Sequence, residues 1–159
     1  MSKKLVRRAG TPPPLDGKSS PTLIVEGRSD AVILRKLLGE KIPTPFRFFA
    51  SQGRMSLTSL ARNVLVHEPD PVVIILDADT ATASKAESEQ ANALESMYPS
   101  TRYRVFAFTP SLDKVIEDVV RKEFSESNIP PEKLEQIRAH PQVQRLLDVI
   151  FGAGASPSG

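Results

Sequence analysis

The sequence predicts an α/β protein with an open sheet of about four parallel strands flanked by helices, followed by a short C-terminal helical extension. Three observations carry that expectation. Short runs of apolar, β-branched residues, such as residues 22–25 and 72–76, suit strands buried on both faces. Apolar residues at helical spacing follow each run. The two patterns alternate four times in series, which implies parallel strands joined by right-handed crossovers.

Residues 1–21 combine Lys, Arg, Pro, Gly and Ser with no apolar period, and read as a flexible basic arm. The first strand is expected at Thr22-Leu-Ile-Val and is stopped by Glu26-Gly27. Ser29 and Asp30 can cap a first helix, whose stripe is Ile33, Leu34, Leu37 and Leu38 and whose stop is Gly39. A second strand at residues 46–50 leads through Ser51-Gln-Gly53 into a helix carrying Leu57, Leu60, Ala61, Val64 and Leu65. Residues 72–76 form the most hydrophobic run and should be a central strand; Asp77-Ala-Asp79 and an alanine-rich helix over about 84–97 follow it. The fourth unit pairs a strand at residues 103–108 with a helix after Pro110-Ser111 bearing Leu112, Val115, Ile116, Val119 and Val120. Pro131 and Pro141 each open a further short helix, and residues 152–159 are low in complexity and expected to be disordered. The expected organisation is an arm over 1–21, an α/β domain over 22–125, a helical extension over 126–151 and a tail over 152–159.

With 159 residues, one compact domain with a sizeable core is expected. No apolar run approaches the roughly 20 residues of a membrane-spanning helix, and the basic N-terminus leads into Thr-Pro-Pro-Pro rather than an apolar stretch. A cytoplasmic protein with no membrane partner is the expectation. The absence of cysteine removes disulfides and thiolate ligands, and two isolated histidines, His67 and His140, make a poor zinc set, so any metal must be held by oxygen. A formal charge of +2 with a pI near 9.0 permits nucleic-acid binding without requiring it.

In open parallel sheets the functional crevice lies at the carboxyl ends of the strands, where strand order reverses. Glu26 follows the first strand and Asp77 and Asp79 follow the third, so adjacency of these strands brings three carboxylates to one edge. Their repulsion calls for a cation, and an all-oxygen set suits Mg²⁺ or Mn²⁺. Taken singly, each acid has a plainer reading as a loop or capping residue; the pairing of the two signals favours the metal. Gly27 and Gly53 can admit a phosphate to backbone N–H groups, with Arg28 and Arg54 beside them to grip it, or they can serve only as turn glycines and solvated cations. Asp113 and Glu117 stand on the same edge, where one could supply a further metal ligand, although helix-start acids are favourable for their own sake; Lys85 and Lys114 could contact a phosphate but read as solvent-facing.

Leu23-Ile-Val-Glu26-Gly27-Arg-Ser-Asp30, followed some fifty residues later by Ile74-Ile-Leu-Asp77-Ala-Asp79, resembles the signature of the Toprim domain over about residues 22–124, with Gly53 matching the glycine after strand two. The Glu-Gly-Arg-Ser-Asp form is similar to that of OLD-type nucleases and small stand-alone Toprim proteins. The resemblance implies the Rossmann-like Toprim fold, Glu26 as general acid or base or metal ligand, and Asp77 and Asp79 as Mg²⁺ ligands. Thr80-Ala-Thr-Ala departs from the family, in which a Gly or an acid often follows the Asp-x-Asp. Tyr98 and Tyr103 are poor candidates for a topoisomerase nucleophile, and the modules of a primase are missing from the sequence, which leaves hydrolysis as the most economical reaction.

The expectation is therefore Mg²⁺-dependent, nuclease-like phosphodiester chemistry on DNA or RNA, with the arm cations Lys3, Lys4, Arg7 and Arg8 adding sequence-independent affinity. The alternative is a non-catalytic Toprim module that binds nucleic acid or a partner protein such as a separate ATPase. A third reading, a phosphatase of the haloacid-dehalogenase type, is suggested by Leu76-Asp-Ala-Asp but puts that motif on the wrong strand.

Overall fold

The computed structural model describes residues 22–39, 47–67, 71–99, 102–121 and 129–151. The expected basic arm, the C-terminal tail and the domain boundary near residue 125 lie outside the described residues. Strands β1 (Thr22–Val25), β2 (Arg47–Ala50), β3 (Val72–Asp77) and β4 (Tyr103–Phe108) alternate with helices α1 (Arg28–Gly39), α2 (Arg54–His67), α3 (Ala83–Met97) and α4 (Leu112–Val120), and α5 (Pro131–Arg138) and α6 (Pro141–Phe151) follow. All strand pairs are parallel, in the order β2-β1-β3-β4. The predicted open α/β sheet is thus present.

Period-two alternation within the strands explains the two layers. Leu23, Val25, Val73, Ile75, Phe106 and Phe108 face one side, where they join α1, α4, α5 and α6 in one core. Ile24, Val72, Ile74, Leu76, Tyr103 and Ala107 face the other and pack on α2 and α3. The C-terminal extension is therefore a continuation of the first layer rather than an appendage. Because β1 leads outward to β2 through a helix on one face, and β2 returns past β1 to β3 through a helix on the other, the crossovers keep one hand. The order reverses between β1 and β3, whose register runs from Thr22↔Val72 to Val25↔Ile75. That places the carboxyl ends of these two strands side by side.

The largest local departure concerns α1. It begins at Arg28, directly after Gly27, so Ser29 and Asp30 lie inside its first turn rather than capping it. Two other helix starts follow side-chain chemistry. Thr82 and Ser111 accept the backbone N–H groups of Lys85 and Lys114 at 3.1 Å and cap α3 and α4.

At the other margin of the sheet, no strand among the described residues pairs with the outer edge of β4. Backbone groups of Arg102 and Phe108 bond toward β3, so the alternate residues 103, 105 and 107 point outward. The carboxylate of Glu87 on α3 accepts the outward N–H of Ala107 at 2.9 Å. A groove of about 450 Å³ runs beside this edge between α3 and α6, lined by Ser88, Ala91, Val105 and Val149 among others.

Candidate functional site

Where β1 and β3 end, two backbone connections shape the edge. Ser51 N–H donates to Val25 O at 2.9 Å and Gly53 N–H to Glu26 O at 3.0 Å, while the buried Ser51 hydroxyl lies 2.9 Å from Gly53 O. The turn after β2 therefore holds the backbone on which Glu26 is carried. Gly53 makes that turn at φ 99, in the left-handed region. Its N–H is engaged with Glu26 O, so that, beside the expected role of admitting a phosphate, Gly53 holds the backbone of Glu26. Ser51 shares that role; the sequence marked it only as part of a turn.

The second connection is the loop between β4 and α4. Ala78 N–H donates to Phe108 O and Asp79 N–H to Pro110 O, both at 2.8 Å. Asp77 Oδ1 in turn accepts Leu112 N–H, the first amide of α4, at 2.9 Å. A helix N-terminus with its amide on a carboxylate favours the charged form. Asp79 adopts φ 58, a left-handed conformation tolerated by Asp, which turns the chain sharply after the strand. Asp77 ends half-buried and Asp79 exposed, with buried Ala78 between them at 5% exposure.

The carboxylates interact across the reversal point. Burial pushes Asp77 up to about 7; the Leu112 amide opposes this, and Asp30, Glu26 and Asp79 add repulsion. Burial also raises Asp30, to about 6, with Asp113 and then Glu26 contributing. Asp30 is thus a member of the cluster that was expected only to cap. Its position four residues after Glu26, in the first turn of α1, was the available signal. Asp113, exposed at the start of α4, faces the same group. The acids are gathered at one edge, but among the described residues no three His, Asp or Glu side chains converge closely enough to hold one ion as they stand.

Arg28 and Gly27 sit at this edge, Arg28 exposed and Gly27 half-buried. A Cβ on Gly27 would meet only Asp30 Oδ2, at 4.0 Å, so the space over it is open. Arg54 opens α2, with its side chain outside the described residues. Lys85 and Lys114 form exposed i,i+4 pairs with Glu89 at 3.7 Å and Asp118 at 4.0 Å. Tyr103 is buried with its hydroxyl donated to Glu95 at 2.7 Å, and burial raises its pKa further from reactivity.

No family model, curated protein or solved structure matches this chain. The functional reading therefore rests on the residues and their arrangement. Among the described residues no helix is long and apolar enough to cross a membrane.

Proposed function

We propose that this protein carries out Toprim-type, divalent-metal-dependent phosphodiester hydrolysis on nucleic acid. One observation carries the reading: Glu26, Asp30, Asp77 and Asp79 are brought to the strand-order reversal despite repulsion strong enough, with burial, to hold Asp77 near 7. A fold that keeps such a cluster at a crevice is using it for something that neutralises it. An all-oxygen carboxylate set fits Mg²⁺ or Mn²⁺ in its chemistry, with Asp77 and Asp79 as ligands and Glu26 beside them. When bound, such an ion polarises a phosphate and lowers the pKa of water.

The chain's own groups have separable duties. Leu112 N–H orients the Asp77 carboxylate through Oδ1. Asp79 makes a left-handed turn after the strand and is exposed to solvent at this edge. Glu26 is half-buried on a backbone held by Gly53, which supports the reading of its carboxylate as the group that takes or gives a proton. Exposed Arg28 offers two parallel N–H bonds to a phosphate approaching over Gly27.

The direct test is cleavage of labelled single- and double-stranded DNA and RNA with Mg²⁺ or Mn²⁺. Glu26→Gln and Asp77→Asn should each lower the rate at least a hundredfold, on the order of a lost general base or ligand. Cutting that persists in both variants refutes the proposal. The separation of the carboxylates in their present positions favours a second reading, a module that binds nucleic acid or a partner such as a separate ATPase without cleaving. Metal and nucleic-acid binding with no cutting in any condition selects it.

A further inference from the structure

We infer that Gln142 of α6 is a positioning residue for the Asp77–Asp79 edge, acting through Thr109 and Pro110; this rests on the proposed reading of that edge as a metal site. Gln142 Oε1 accepts Thr109 N–H at 2.8 Å and its Nε2 donates to Thr109 O at 2.8 Å. The side-chain amide thus pairs with both backbone groups of one residue, as a neighbouring strand would. Oε1 also lies 3.3 Å from Thr109 Oγ1. Gln142 is itself fixed, since its own N–H donates to His140 Nδ1 at 3.1 Å and it stands in the first turn of α6 beside fully buried Val143.

The next residue is Pro110, whose carbonyl accepts the N–H of Asp79 at 2.8 Å, and the following pair, Ser111 and Leu112, open α4 and supply the amide held by Asp77. Four consecutive residues, 109 to 112, therefore link α6 to both aspartates. Proline cannot donate from its nitrogen, so the chain on the near side of this loop has no amide of its own at position 110 with which to anchor. The fork on Thr109 supplies the anchor. A glutamine 63 positions after the Asp-x-Asp, on a helix outside the α/β repeat, is the residue that completes the support of the edge.

Ligands held by secondary hydrogen bonds lose on the order of tenfold to a hundredfold in metal affinity when the support is removed. Gln142→Met keeps the side chain's length and removes all three polar contacts with Thr109. Val143→Ala, which opens a cavity in the neighbouring core position, serves as a control destabilised without touching Thr109. Two readouts are compared in the full chain: amide hydrogen exchange at Thr109 and Asp79, and Mn²⁺ affinity by calorimetry or electron paramagnetic resonance. In Gln142→Met, the Thr109 and Asp79 amides should exchange at least tenfold faster relative to β1 and β3 amides, with Mn²⁺ affinity about tenfold lower. Val143→Ala should leave both readouts as in the wild type once global stability is matched. Unchanged exchange at Asp79 in Gln142→Met, or an equal effect in Val143→Ala, overturns the inference. A wild-type protein that binds no Mn²⁺ refutes the metal reading instead, and the exchange comparison alone then decides whether Gln142 positions the loop.

Discussion

Asp77 carries two opposing demands, burial and like-charged neighbours against an amide donated by α4. Its ordinary value is 3.8 and its folded value about 7. Between these, the folded protein retains a proton that the unfolded chain has lost, so stability falls as pH rises through that window and is flat above it. Asn retains the Oδ1 acceptor for Leu112 and removes the charge. Asp77→Asn should therefore stabilise the metal-free protein by about 1–2 kcal/mol above pH 7, allowing for solvent screening of a half-buried group. The gain should vanish below about pH 4; urea unfolding at pH 8 and pH 4 checks this. Saturating Mg²⁺ at pH 8 should narrow the difference between the two proteins by stabilising only the wild type. A second residue-scale expectation concerns Gly53, where φ is 99 and nothing lies within 4 Å of a built Cβ. Gly53→Ala should cost about 1 kcal/mol from the backbone alone, and should weaken the hold on Glu26. Chemical denaturation gives the first and amide exchange at Gly53 the second.

Secondary structure was the most legible scale, because the strands are short apolar runs and the helices have regular stripes. Pro131 and Pro141 marked the starts of α5 and α6 correctly. The start of α1 differs from the expectation because Ser29 and Asp30 carry strong capping chemistry, whereas the helix already begins at Arg28. The sequence also brought Glu26, Asp77 and Asp79 to one edge through strand adjacency, but it could not disclose the occupied N–H of Gly53 or the reach of Gln142. Those depend on contacts 27 and 33 residues apart in the chain, which no local pattern encodes. The helix α5 is pinned in the same non-local way: buried Arg138 donates from Nη1 to Leu37 O at 3.1 Å and pairs with Glu135 at 3.1 Å. Arg138→Met removes the donors to the end of α1 while preserving bulk. A loss of about 1–3 kcal/mol is expected in thermal or denaturant unfolding.

At the scale of the molecule, the sheet separates its duties by side. The reversal between β1 and β3 brings the acids together, and the first-layer helices α4 and α6 support the loop that holds two of them. On the strand next to that edge, the outer margin of β4 offers the backbone of residues 103 and 105, with a groove beside them, while Glu87 occupies the amide of Ala107. That single carboxylate acts as a stopper against unwanted strand addition: another chain that paired along β4 would have to displace it and leave a negative charge facing the incoming backbone. The margin is consequently guarded by charge rather than by bulk, and loss of that one glutamate leaves the Ala107 amide open to the backbone of another copy. Glu87→Ala should show concentration-dependent self-association by sedimentation at a pH where the wild type remains a single species; identical sedimentation of the two would mean that the strand end needs no such guard.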